Sequence, residues 1–161
     1  MRKSKTKEKI YTVAVILFMI DQFIKFFIRS KMSIMDEITI IPHFFSIYYI
    51  ENQGAAFSIL SDQTLFLVFI GLGCLFLLDR YISQNLFSKK QIIFMGMVMG
   101  GMLGNLIDRI LYHGVVDYLS FQFFNYSFPV FNFADICITI GIILFLISYF
   151  WEEFQKNQKK K

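Results

Sequence analysis

Four apolar runs, each close to the length that crosses a bilayer, constrain this chain more than any other feature. Ile10 to Ile28 is broken only by Asp21, Gln22 and Lys25, Gln63 to Leu78 and Gln91 to Ile107 carry no charge, and Val130 to Trp151 carries one, Asp135. At about 1.5 Å of rise per residue, roughly 20 helical residues span a hydrocarbon core about 30 Å thick. Backbone polar groups inside that core must be satisfied by the chain itself, which makes each run a helix. Hydrophobic residues make up 56% of the 161, and 21 are Phe; an ordinary soluble domain is about 45–50% apolar.

A basic start before an apolar run also describes a secretory signal peptide. The first run, however, has charges in its second half and no Ala-x-Ala-like site after it, and is read as an uncleaved span. The expected fold is therefore all-α integral membrane. It is a single domain, a four-helix transmembrane bundle with spans near 10–28, 63–81, 91–111 and 130–151. Residues 29–61, with Pro42, the strand-like run Phe44 to Ile50 and the turn-forming segment from Asn52 to Ser58, are expected to form a small extracytoplasmic β cap, and 112–129 an extracytoplasmic loop.

Of the 16 basic residues, five lie in Arg2 to Lys9, three in Arg80 to Lys90 and four in Lys156 to Lys161. That bias places both termini and the middle loop in the cytoplasm, and it argues for topology rather than for a nucleic-acid partner. Cys74 and Cys137 fall inside apolar runs and read as small buried hydrophobes, giving neither a disulfide framework nor a metal clip. Gly96, Gly100 and Gly104 follow the small-xxx-small spacing of closely packed membrane helices.

Against this background the segment from Asn105 to Asp135 is costly, with Asn105, Asp108, Arg109, Asp117, Asn132 and Asp135 among Phe, Ile, Leu and Val. Helix rise puts its groups in one layer. Asp21 lies about 16 Å and Lys25 about 22 Å into the first span, Asp108 and Arg109 about 25 Å along the third, and Asp135 about 8 Å into the fourth from its opposite end. Asp117 and Asn52 fall in segments just above. Spacing then gives each helix a polar stripe: Asp21 with Lys25; Gly101, Asn105, Asp108 and Arg109; Asn132, Asp135 and Thr139. Asp21 with Lys25, and Asp108 with Arg109, are expected to pair and to hold the site. Asp117 and Asp135 have no nearby cation in sequence and are the functional candidates.

Two carboxylates at a poorly hydrated site share a proton, as an aspartyl hydrolase requires. The ionised member takes a proton from attacking water while the protonated one donates to the amide oxygen or leaving nitrogen. The plain alternative is a pair of helix-end and loop carboxylates near headgroups, with Asn132 a simple helix cap. Ser58, Ser120 and Cys137 lack a well-spaced imidazole base; only His43 and His113 are present. His113 with Asp117 has metal-pair spacing without a further ligand close by. A proton-coupled transporter using Asp135, Asp108 and Arg109 as a relay is the competing class, although no inverted repeat is visible.

Five motifs in order resemble lipoprotein signal peptidases, the type II bacterial signal peptidases: Asp21-Gln-x-x-Lys25, Asn52-x-Gly54-Ala-Ala-Phe57, Gly101-x-x-Gly104-Asn105-x-x-Asp108-Arg109, Gly114 to Tyr118 around Asp117, and Phe131-Asn132-x-Ala134-Asp135. The resemblance implies an aspartyl endopeptidase of the bacterial cytoplasmic membrane, without metal or cofactor and with its active site near the outer leaflet. Its substrates would be prolipoproteins, cut before a diacylglyceryl-modified cysteine, with membrane lipids as its surroundings. It also implies Asp117 and Asp135 as catalytic. Asn52, Gly54, Gly101, Asn105, Arg109, Asn132 and Ala134 would shape the substrate site, with Asp21, Lys25 and Asp108 in support.

Overall fold

The computed structural model describes residues 2–54, 63–124 and 126–158. Ala55, Ala56 and Phe57 of the second motif, Ser58, and the end of the expected cap lie outside them. Four helices dominate: α1 (Arg2–Lys31), α2 (Thr64–Gln84), α3 (Lys89–Tyr112) and α4 (Phe133–Gln158). All four are long and apolar enough to cross a membrane. α1 and α3 contain the runs expected of them, α2 begins one residue and α4 three residues inside theirs, and all four extend past their runs into charged residues, since solvated or headgroup-facing turns need not be apolar. The start of α3 shows why it begins where it does: Ser88 accepts from the Gln91 backbone N–H and the Gln91 side chain accepts from the Ser88 N–H, a reciprocal cap.

The bundle is arranged around α3, the most buried helix, against which α1, α2 and α4 all pack. Small residues allow the approach. A Cβ on Gly100 would sit 2.7 Å from the Ala14 carbonyl oxygen of α1, and one on Gly101 would sit 2.5 Å from the Ala134 carbonyl oxygen of α4. The helix backbones therefore meet directly at these positions, as the spacing of the glycines anticipates. Large side chains instead cover the outside: Phe23, Phe26, Leu65, Phe69, Phe76, Ile147 and Phe150 are all well exposed, the pattern of a surface solvated by lipid.

At one end of the bundle sits an antiparallel sheet of β1 (Glu37–Ile41), β2 (Phe45–Asn52), β3 (Val115–Phe123) and β4 (Tyr126–Ser127), in that order. Residues 29–61 contribute the hairpin β1–β2. The segment 112–129, expected as a loop, instead supplies β3, which pairs along β2 from Phe45↔Phe121 to Asn52↔Val115. Its alternation is hidden in sequence because Val115, Val116, Asp117 and Tyr118 are buried on both faces. Val116 and Tyr118 pack with Met32 and Tyr49 under the sheet, while Val115 and Asp117 face a cavity on the other side.

Below the sheet, α1 and α3 are joined by a buried ion cluster. Lys25 Nζ lies 2.8 Å from Asp21 and 2.9 Å from Asp108, with all three side chains fully buried. The expected Asp21–Lys25 pair is present, but Asp108 and Arg109 do not pair with each other. Neighbours on a helix point about 100° apart, so Asp108 turns to Lys25 and, at 3.7 Å, to Arg29, while Arg109 turns the other way. Arg29 also stacks over Tyr112, 3.4 Å from the ring centroid.

Two outcomes follow from this packing. Gly101→Val is expected to destabilise the protein by about 1–3 kcal/mol, whereas Gly73→Ala, inside α2 where a Cβ meets nothing within 4 Å, should hold or slightly raise stability; thermal unfolding in detergent micelles compares them. Lys25→Met leaves buried Asp21 without its cation and Asp108 with Arg29 alone at 3.7 Å, and should cost about 3–5 kcal/mol, read in the same assay; an unfolding temperature equal to that of the parent would show that the cluster is not what joins α1 to α3.

Candidate active site

The two candidate aspartates come from different elements. Asp117 stands on β3, which returns over α3 because the helix ends at His113, a left-handed cap (φ 60°) whose N–H bonds back to the Arg109 carbonyl. The returning strand is fastened where the Val116 N–H donates to Asp108 at 3.3 Å. Asp135 stands in the first turn of α4, three residues after its cap Asn132. The two form a reciprocal pair: the Asp135 N–H donates to Asn132 Oδ1 at 3.0 Å, and the Asn132 N–H donates to Asp135 Oδ2 at 3.1 Å. Asn132 is thus the helix cap that the sequence allowed, and its amide nitrogen does more, donating to Asp117 at 2.7 Å and to Asn105 Oδ1 at 3.1 Å.

Both aspartates line one cavity of ≈ 320 Å³, together with Asn52, Asn105, Arg109 and Thr139. Its apolar side is formed by Val115 and the segment Phe128 to Phe131. Each carboxylate is held by amide donors. Asp117 accepts from Asn52 Nδ2 at 2.9 Å as well as from Asn132, and Asp135 accepts from Asn105 Nδ2 at 2.7 Å. Among the described residues neither makes an ion pair, although the Arg109 guanidinium lines the same cavity. Burial, and then the neighbouring Asp135 charge, push the Asp117 carboxyl up to about 7, against the hydrogen bonds from Asn52 and Asn132.

The remaining residues of the expected site support this pair. Arg109 donates to the Gly54 carbonyl at 2.9 Å and to the Asn105 carbonyl at 3.1 Å, tying the end of β2 to α3. Gly101 and Ala134 are the α3–α4 contact, and the Ala134 N–H donates to Asp21 at 3.1 Å. Asp21 thereby closes one of the free donors at the start of α4; the Phe133 N–H is closed by the Tyr118 hydroxyl at 3.2 Å. Lys25 reaches past its carboxylates to Asn105 Oδ1 at 3.0 Å, so the supporting cluster touches the residue that holds Asp135.

Two contributors had no role assigned from sequence, Gln22, although it stands in the first motif, and Arg29. Gln22 donates to Asp21 at 3.2 Å and to Asp108 at 3.1 Å, bridging α1 and α3. Arg29 continues the Asp21–Lys25 stripe at i+8, a spacing that could have marked it. Ser120 and His43 lie on the sheet and its hairpin, away from the cavity, and His113 serves as the helix cap.

Known proteins resemble this chain in both sequence and fold. The family model described as signal peptidase (SPase) II matches residues 13–151. A lipoprotein signal peptidase of Maridesulfovibrio salexigens is 37% identical over 86% of this chain and 92% of its own length. One of Staphylococcus aureus is 38% identical over 92% and 91%. A solved bacterial membrane enzyme, determined by the in meso method at 2.3 Å, superposes with a TM-score of 0.82 at 35% identity, covering 90% of this chain and 89% of that one. Sequence and fold agree across nearly the whole length, and the chain belongs to the signal peptidase II family, a family of membrane aspartic proteases.

Proposed function

We propose that this protein removes the signal peptide of prolipoproteins by hydrolysing the peptide bond on the N-terminal side of a diacylglyceryl-modified cysteine, with Asp117 and Asp135 as the catalytic pair. One observation carries the reading: two carboxylates face a single cavity, each anchored by asparagine amides and neither neutralised by an ion pair among the described residues. Asp117, raised to about 7, is the member that holds the shared proton at neutral pH.

Water in the cavity gives a proton to the Asp135 carboxylate as its oxygen attacks the amide carbon, and Asp117 gives its proton to the carbonyl oxygen. Asp135 then protonates the departing nitrogen, a proton of the diol returns to Asp117, and the carbon–nitrogen bond breaks. The products are a signal peptide with a new carboxyl end and a lipidated cysteine with a free amine. Asn52, Asn105 and Asn132 keep the carboxylates aimed, while Arg109 fastens the backbone of Gly54 beside the cavity.

The substrate's lipid fits the apolar side of the cavity. Phe128 and Phe131 line it and also line a neighbouring slot completed by Phe121 and Phe123, a place for acyl chains beside the scissile bond. The basic segments at both termini and between α2 and α3 put those ends in the cytoplasm. On that topology the sheet and dyad lie at the outer leaflet of the cytoplasmic membrane, on the side where exported lipoproteins are processed.

The purified protein in micelles or vesicles should cleave a diacylglyceryl prolipoprotein peptide, seen by mass spectrometry as loss of its signal peptide. Asp117→Asn and Asp135→Asn should each insert and fold normally yet lower the rate by about 10²–10⁴-fold; full activity in either removes that residue from the mechanism. A raised Asp117 also sets a pH dependence. Its protonated form is present below about 7 and is lost as pH rises through that value, so kcat/KM should fall by about tenfold per pH unit above it. A rate still flat at pH 9 would assign the proton elsewhere.

A further inference from the structure

At the end of the bundle away from the dyad, a second polar cavity of ≈ 210 Å³ opens between the end of α2 and the last turns of α4. Its walls are aromatic. Tyr81 meets Phe145 edge-on at 6.2 Å, Phe87 lies 6.2 Å from Phe145, and Tyr149 stacks on Phe145 at 6.3 Å. Glu152 lines the same cavity, half-buried, with no hydrogen bond or ion pair among the described residues. Glu153 and Lys156 also line the cavity, but they face each other at 3.9 Å in an exposed pair. A carboxylate without a counter-ion, set beside ring faces that attract positive charge, has the chemistry of a cation site.

We propose that this cavity seats a basic side chain from the n-region of the signal peptide, with Glu152 as its counter-ion. The proposal rests on the prolipoprotein substrate proposed above. Three features favour this occupant. Signal peptides carry their positive charges before the apolar h-region, so the cation arrives at the cytoplasmic end of the enzyme while the cleavage site is at the other. The depth agrees: Asp135 and Glu152 are 17 residues apart on α4, or about 26 Å. Three extended residues through the active site cover about 10 Å, and an 11-residue helical h-region covers about 16 Å more. Finally, α4 itself runs between the two places: at about 100° per residue, Thr139 of the dyad cavity and Tyr149 of this one lie within about 40° of Asp135 around the helix, and Glu152 stands about 100° round from it. A signal peptide lying along α4 is thus gripped at both ends, by the dyad at its cut site and by Glu152 at its charged start.

The experiment compares two diacylglyceryl prolipoprotein peptides that differ only in the n-region, Lys in one and Gln in the other, in phosphatidylglycerol vesicles that contain no amine lipid. Glu152→Gln should raise KM for the basic peptide by about three- to tenfold at unchanged kcat, and leave the neutral peptide as it was. Glu152→Lys should in turn favour a peptide whose n-region carries Glu, a reversal that a purely structural role of Glu152 does not produce. Equal effects on both peptides, or none, overturn the assignment while leaving the proposed cleavage intact. An effect that is the same for both peptides and arises only once phosphatidylethanolamine is added assigns the cavity to a lipid amine instead, and also overturns it. If the parent protein cleaves neither peptide, the proposed function fails and this inference with it.

Discussion

The Lys25 ammonium is the contact on which the rest of the site depends. It is fully buried and surrounded by Asp21 at 2.8 Å, Asp108 at 2.9 Å and the Asn105 amide oxygen at 3.0 Å. A lone cation at such a depth would be strongly disfavoured; with two carboxylates and an amide oxygen around it, its three donors are all used. Each carboxylate then reaches a different element. Asp21 accepts from the first turn of α4, and Asp108 accepts from the backbone of β3. Three helices and the sheet are thereby located relative to one ammonium group. The third contact fixes an orientation as well: Asn105 Oδ1 accepts from Lys25 and Asn132, so its amide nitrogen is turned to Asp135.

Much of this was legible in sequence because a bilayer limits the choices so severely. Span number, direction and depth follow from apolar length and basic ends, and they sufficed to bring Asp21, Asn105, Asp108 and Asp135 into one layer. What periodicity could not supply was partner choice. Asp108 and Arg109 are adjacent in sequence and opposite in charge, yet a helix sends them to different neighbours, one to Lys25 and the other to the Gly54 carbonyl. The strand β3 was hidden for another reason. A strand buried on both faces loses the polar alternation that marks one, and Val115 to Tyr118 is buried throughout. Gln22 was passed over because an uncharged side chain beside Asp21 gives no sign that it bridges to α3.

The structure separates two kinds of carboxylate by the kind of donor each receives. Asp21 and Asp108, which do the joining, are paired with cations. Asp117 and Asp135, the proposed catalysts, are bonded chiefly by amide groups of Asn52, Asn105 and Asn132. An amide donor fixes an oxygen in place without cancelling its charge, so the repulsion between the two carboxylates, on which the proposed shared proton rests, survives. A lysine or arginine bonded in place of Asn132 would aim Asp117 equally well but would favour ionisation of both, leaving no acid to donate to the carbonyl oxygen. Asn132 meets a further requirement, since the same residue must start α4 by accepting the Asp135 N–H. A side chain with both a donor and an acceptor can cap the helix and hold Asp117 at once; an aspartate there could only accept, and would add a third negative charge to the cavity. The need for one neutral residue to do both explains why an asparagine, expensive as it is among phenylalanines, sits at the point where α4 begins.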